Sequence, residues 1–214
     1  MRVRITFTKQ GALRYTGNLD LHKILERSIR RAALPLAYSQ GYHPQPKLNL
    51  AAALPLGFAS RAEVMDIWLN DGVENVVSPL QANVPPGLTI LSAEQVDERE
   101  PSLQSQVIAA EYEVEITEAG YGSGLNEKVA SVMASESIPR ERRGKQYDLR
   151  PLIEALTPLS GASPGPSPNG RGETITMRLT AREGATGRPE EVLEVLGIPI
   201  EVSRVERTAL IFQE

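Results

Sequence analysis

Apolar and polar residues alternate through the first nine positions. Val3, Ile5 and Phe7 fall on one side, Arg4, Thr6 and Thr8 on the other, which predicts a half-buried strand over 2–9. Gln10-Gly11 turns the chain, and the period changes. Leu21, Ile24, Leu25, Ile29 and Ala32 recur at three- and four-residue steps. That spacing predicts a helix from Leu19 to about Ala33, with Asn18 as N-cap and Pro35 as its stop. Lys23, Arg27, Arg30 and Arg31 lie largely off the apolar stripe. Leu36–Ser39 and Lys47–Leu54 read as extended pieces around a loop over Gln40–Pro46. Ala62–Asn70 alternates as a strand, Glu74–Ala82 reads as a short helix containing Pro79, and Leu88–Val96 as a strand.

Asp97–Gln104, DEREPSLQ, is charged and broken by proline, the composition of a linker. A similar pattern then recurs: strand 107–117, helix 125–135, extended pieces over 138–143 and 147–156, strand 173–182, helix 189–196 opened by Pro189 and closed by Gly197, strand 200–212. Stretches 63–96 and 174–207 share one order: strand, Gly-bearing turn, helix, Pro-bearing turn, strand. The expected fold is therefore α+β, with two tandem ferredoxin-like (βαββαβ) units built on antiparallel sheets, at 1–97 and 105–214. The alternative is one α+β domain whose element order repeats by coincidence. GASPGPSPNGRG, 161–172, has the composition of a flexible loop.

The net charge of −4 hides an asymmetry. Residues 1–70 hold ten Lys and Arg against four Asp and Glu, a net of +6; residues 71–214 hold thirteen against twenty-three, a net of −10. Such a split suits one surface for a polyanion, or a dipolar surface that serves solubility. The chain has no cysteine, which removes disulfides, thiolate metal sites and a Cys nucleophile and suits a cytoplasmic setting. MRVRITFTKQ has no long apolar run, and nothing approaches the roughly 20 apolar residues of a membrane span.

The most unusual stretch is LAYSQGYHPQPKLNLAAALPLGF, Leu36 to Phe58. Rings, amides and a lysine crowd into a dozen positions there: Tyr38, Gln40, Tyr42, His43, Gln45, Lys47 and Asn49. With Arg2, Arg4, Arg14 and the helix cations Lys23, Arg27, Arg30 and Arg31, these residue types suit phosphate neutralisation, base stacking and base-edge reading. Packing at the core edge is the competing role for each tyrosine. Trp68, the only tryptophan, is expected in the core. Asp66 shares its face, which suggests a cationic partner such as Lys47 or Arg14. RERRGK, 140–145, reads as a hairpin tip or a second phosphate contact, and Arg150 as a partner of Asp148 or Glu154. His22 and His43 are the only histidines. No metal-ligand spacing and no nucleotide phosphate loop is present, so no cofactor is expected. A loop His43 suits either acid–base chemistry or a hydrogen bond to its own loop.

Phe7, Lys9, Gly11, Leu13 and Arg14, then Arg30-Arg31-Ala32 with Leu34-Pro35, then Tyr38-Ser39-Gln40-Gly41 with Pro44, Pro46 and Lys47, then Leu54-Pro55-Leu56-Gly57, together resemble the opening of the DUF2344 family. YDLRPLIEAL also resembles a later family segment. That resemblance implies a protein linked to a radical SAM enzyme as partner. Lacking cysteine, this chain does not carry the iron–sulfur cluster itself.

Three functions follow as expectations. The first is a non-catalytic accessory protein that contacts RNA through the basic helix and the YSQGYHPQPK loop. The second is a docking module for the radical SAM partner without nucleic acid. The third is an RNA-processing or RNA-modifying enzyme using His43 or Tyr42.

Overall fold

The alternation at the N-terminus becomes strand β1 (Arg2–Lys9), with Val3, Ile5 and Phe7 buried. The computed structural model describes residues 1–118, 120–159 and 173–213; the stretch expected as a flexible loop, 161–172, lies outside the described residues. The chain is α+β with mostly antiparallel sheet. It divides into two compact units, Met1–Val107 with Phe212–Glu214, and Ile108–Ile211.

In the first unit, β1 leads through a 3-10 turn (Gly11–Tyr15) to helix α1 (Asn18–Arg31), then β2 (Leu48–Leu50), β3 (Ala59–Trp68), α2 (Val77–Gln81), β4 (Leu88–Val96) and the short α3 (Leu103–Gln106). β1 lies antiparallel between β3 and β4, and β2 pairs antiparallel with β3, giving the order β4-β1-β3-β2. One face of this sheet packs Val3, Ile5, Phe7, Met65 and Ile67 against Leu21, Leu25 and Ile29 of α1 and Leu80 of α2. Lys9 is buried, and its Nζ donates to the Thr16 carbonyl at 2.8 Å, which fastens the 3-10 turn to the strand.

The ends of α1 differ from the sequence expectation. Gly17, not Asn18, is the N-cap: it stays extended, and its carbonyl accepts from Leu21 N at 2.9 Å. The helix stops at Arg31, before Pro35 can act. Ala33 takes a left-handed conformation (φ 54°). Ala33 N then reaches Arg30 O at 3.1 Å, and Leu34 N reaches Ile29 O at 3.2 Å. This is a Schellman closure with alanine where glycine is usual.

In the second unit, β5 (Val107–Ile116) is followed by α4 (Leu125–Ala134), the hairpin β6 (Pro139–Arg142) and β7 (Lys145–Asp148), then β8 (Ile153–Leu159), β9 (Thr174–Arg182), β10 (Ala185–Thr186), α5 (Pro189–Val195) and β11 (Ser203–Phe212). β9 lies antiparallel to β5 on one side and to β8 and β10 on the other, with β11 beyond β5. The order of the long strands is β8-β9-β5-β11, and Ala109, Val114, Ile175, Met177 and Leu179 are buried among them. Arg143 and Gly144 both have positive φ, as a two-residue hairpin turn requires.

The polar face of the first unit's sheet is organised by charge. Arg2, Arg4 and Thr6 lie opposite Trp68, Asp66 and Val64. Asp66 is fully buried and Arg2 nearly so. Arg2 donates to Asp66 Oδ2 through Nε at 2.8 Å and Nη2 at 2.5 Å. Arg4 donates through Nε to Oδ1 at 3.0 Å and through Nη2 to Oδ2 at 3.1 Å. The hydrogen bonds to Asp66 raise the Arg4 pKa further above its ordinary value, against the opposing effect of burial. Arg2 also donates to the backbone carbonyls of Glu100 at 2.8 Å and Pro101 at 3.0 Å. The segment read as a linker is thus tied to the sheet and continues into α3, where Leu103 is fully buried and Gln104 donates to Leu50 O at 2.8 Å.

Two expectations are corrected here. Arg2 and Arg4 are bound to Asp66 rather than presented to phosphate, and the partners of Asp66 are these two arginines, not Lys47 or Arg14. Cross-strand register decides it: Arg4 stands directly opposite Asp66, and Arg2 stands one step along the same face.

Asp66→Ala would leave the buried Arg2 guanidinium without its counter-charge. A loss of about 3–5 kcal/mol is expected, read as a lower urea midpoint in Trp68 fluorescence. Arg2→Met/Asp66→Leu should recover most of it, since the buried guanidinium leaves with its carboxylate and Arg4, nearer the surface, keeps Glu100 at 3.3 Å. Ala33→Gly should raise stability by about 0.5–1 kcal/mol by removing the Cβ from a left-handed position, checked in the same titration.

Candidate functional site

Between Pro35 and Leu48 the chain leaves the first unit's sheet and returns as a narrow lobe. Its base is tied down by backbone bonds: Asn70 N to Pro35 O at 2.9 Å, Ala37 N to Trp68 O at 2.7 Å, Lys47 N to Ala37 O at 2.8 Å and Trp68 N to Lys47 O at 3.1 Å. Higher up, Tyr38 bridges Pro46. Ser39 N donates to Gln45 O at 2.8 Å, and Gln45 N donates to Ser39 Oγ at 2.9 Å. Those bonds close the lobe and leave Gln40 to Pro44 as a tip, all five exposed and Tyr42 completely so. Gly41 takes φ 142°, a conformation other residues rarely adopt.

The predicted site residues divide along this lobe. Tyr38 is half-buried against the core. Gln40, Tyr42 and His43 project at the tip, where the Tyr42 and His43 rings meet edge-on at 6.1 Å. Gln45 Nε2 donates to the His43 carbonyl at 3.4 Å. Among the described residues the His43 imidazole has no carboxylate partner.

Beside the lobe lies an open pocket of about 390 Å³ whose lining includes Gln45, Pro46, Lys47, Asn49 and Trp68. Trp68, expected in the core, is only half-buried because it faces the polar side of the sheet with Asp66 and Arg2, while Ile67 and Leu69 on either side of it turn into the core. The Arg2 guanidinium sits over the indole, 5.3 Å from its centroid. Lys47 is exposed and stands near enough to Glu98 to help lower that carboxyl's pKa, after the larger effect of the Met1 ammonium.

The helix cations form one exposed stripe, since 23, 27, 30 and 31 are spaced by threes and fours. Lys23 pairs loosely with Asp20 at 3.7 Å and Arg30 with Glu26 at 3.9 Å, contacts worth about 0–1 kcal/mol at an exposed surface. Arg31 donates to Asn83 O at 2.8 Å. Among the described residues Arg27 has no hydrogen bond or ion pair. The end of α1 leads straight into the base of the lobe: Leu34 N reaches Ile29 O at 3.2 Å, and the next residues, Pro35 and Leu36, pair with Asn70 and Leu69. Arg14 does not join them. It follows the far end of β1, roughly 25 Å from Arg2 along the strand, where its guanidinium stacks on Tyr15 at 4.7 Å. His22 packs inward, a ring nitrogen 3.2 Å from Leu48 O.

In the second unit RERRGK is the β6–β7 hairpin. Its tip is exposed, while Arg140 donates to Glu191 O at 3.2 Å and pairs with Glu194 at 3.1 Å. Arg150 does not pair with Asp148 or Glu154 through its guanidinium. It donates to the carbonyls of Ile153 and Met133, each at 3.0 Å, the latter in the last turn of α4. Burial, and then a hydrogen bond to Glu191, push the Tyr147 phenol up to about 12. A phenol whose folded pKa is raised contributes stability below its unfolded value near 10 and loses it between pH 10 and 12. The absorbance titration at 295 nm should therefore show a late component that is lost in Tyr147→Phe, and Glu191→Gln should move the Tyr147 phenol part of the way back toward 10, burial remaining.

No curated protein matches the chain. Residues 2–189 match the DUF2344 family, described as an uncharacterized protein conserved in bacteria; the match covers both units' strand-and-helix pattern up to the start of α5, and the chain belongs to that family.

Proposed function

We propose that this chain is a non-catalytic accessory protein that contacts single-stranded RNA through its first unit and works beside a radical SAM enzyme. The observation that carries the RNA part is the exposed cationic stripe of α1 next to the base of a lobe whose tip is bare aromatic and amide surface. Weak surface pairs at Lys23 and Arg30 exchange readily for phosphate, and Arg27 needs no release. Tyr42, fully exposed with only an edge contact to His43, suits stacking on an unpaired base. The enzyme partner rests on the family resemblance. The fold reading goes with it: the orders β4-β1-β3-β2 and β11-β5-β9-β8 support two ferredoxin-like units in tandem, the second with the β6–β7 hairpin inserted.

A second reading is a protein–protein docking module. The full exposure of Tyr42, with Tyr15, Leu19 and Leu56 also exposed, favours it. Co-purification of the radical SAM protein from nuclease-treated extract, lost on Tyr42→Ala, would select this reading.

Fluorescence anisotropy of a labelled single-stranded RNA across a salt series tests the proposal. Affinity should fall steeply with salt, and Arg27→Ala/Arg30→Ala should flatten the slope by about 1.4, near 0.7 for each lost contact. An unchanged slope takes the helix out of the interface; no binding at low salt retires the RNA reading.

A further inference from the structure

We propose that the pocket beside Trp68 is a subsite for one unpaired nucleobase, with Trp68 as the stacking surface, Asn49 reading the base edge and Lys47 meeting the adjoining phosphate. The inference rests on the RNA reading and gives it a specific site.

The indole is built as a platform before any ligand arrives. Arg2 sits over it at 5.3 Å and is itself held by Asp66 and by two backbone carbonyls. Arg2 does not line the pocket, so the indole surface that does is the part the guanidinium leaves free. Backbone bonds fix Trp68 from both directions, N–H to Lys47 O and C=O to Ala37 N. With its backbone held on both sides and its ring backed by Arg2, the indole loses little conformational entropy on stacking, which is the benefit of preorganisation.

The polar groups around it suit a base better than an apolar ligand. The pocket, about 390 Å³, lies in the range of small-ligand sites, roughly 300–1,000 Å³. Asn49 is half-buried and stands across from Asp66 on the adjacent strand. Asp66 is committed to the two arginines, and among the described residues the Asn49 carboxamide makes no hydrogen bond. A carboxamide offers a donor and an acceptor side by side, the pattern that pairs with a base edge. Lys47 adds an exposed positive charge at the rim.

Trp68 is the only tryptophan, so the site reports on itself. Hexameric oligoadenylate and oligouridylate, each carrying an end label, are titrated while Trp68 fluorescence and label anisotropy are followed together. Quenching that saturates with the same midpoint as the anisotropy is expected. Trp68→Leu should weaken binding about 5- to 100-fold, Trp68→Phe should restore most of it, and Asn49→Ala should shift the preference between the two oligomers. Binding by anisotropy with no quenching, or full affinity in Trp68→Leu, overturns the pocket and leaves the RNA surface standing. No anisotropy change at low salt overturns both. Equal loss in the Leu and Phe variants marks Trp68 as structural and also overturns the subsite.

Discussion

A single buried carboxylate holds the first unit's polar face together. Asp66 sits between Arg2 and Arg4 with both oxygens occupied. Taking these charges out of water is expensive, and the mutual attraction offsets the cost only because the geometry is nearly complete. Arg2 uses its remaining donors on Glu100 and Pro101, so one interaction both neutralises the face and fastens the segment after β4 across it. The same guanidinium backs Trp68. Sheet, strap and indole therefore share one anchor, and disturbing Asp66 is expected to disturb all three.

This anchor also sorts the unit's cations by role. Of the ten Lys and Arg in residues 1–70, Arg2, Arg4 and Lys9 are spent on the fold: two on Asp66, one on Thr16 O. The α1 stripe and Lys47 stay at the surface, where charge costs little and is available to a polyanion. An excess of positive charge counted along the sequence overstates what a partner meets, because part of it is matched inside.

The legible parts of the fold were those with a clear period. β1 matches its expected bounds because alternation runs to its end, and β4 matches although a register shift against β1 breaks its alternation after Ile90; α1 and α4 fall within a residue or two because one apolar face persists. What pairing alone decides was not legible. Asp66 has no local signal pointing to Arg2, 64 residues away, and the choice between Lys47, Arg14 and the β1 arginines is made by register. Trp68 reads as core by residue type, yet alternation puts it on the polar face with Asp66, while its neighbours Ile67 and Leu69 are buried in the core. The segment 97–104, expected as a linker, is anchored through its backbone carbonyls, which no composition reveals. Gly17 displaced Asn18 as cap for a related reason: the helix begins one residue earlier than the apolar pattern requires.

The lobe shows where sequence reasoning about a site stops. Density of rings and amides sets Leu36 to Phe58 apart from the rest of the chain, but composition treats Tyr38, Tyr42 and Asn49 alike. The backbone ladder between Ser39 and Gln45 separates them. Below it, Tyr38 is given to the core; above it, Gln40 to Pro44 have no packing to do. Asn49 and Lys47 are on neither side: they return to the sheet beside a tryptophan that the charge network already holds in place. A site of that kind needs little rearrangement to receive a flat ring. The rigid platform comes from the buried ion cluster, and the polar edge comes from the strand that closes the lobe.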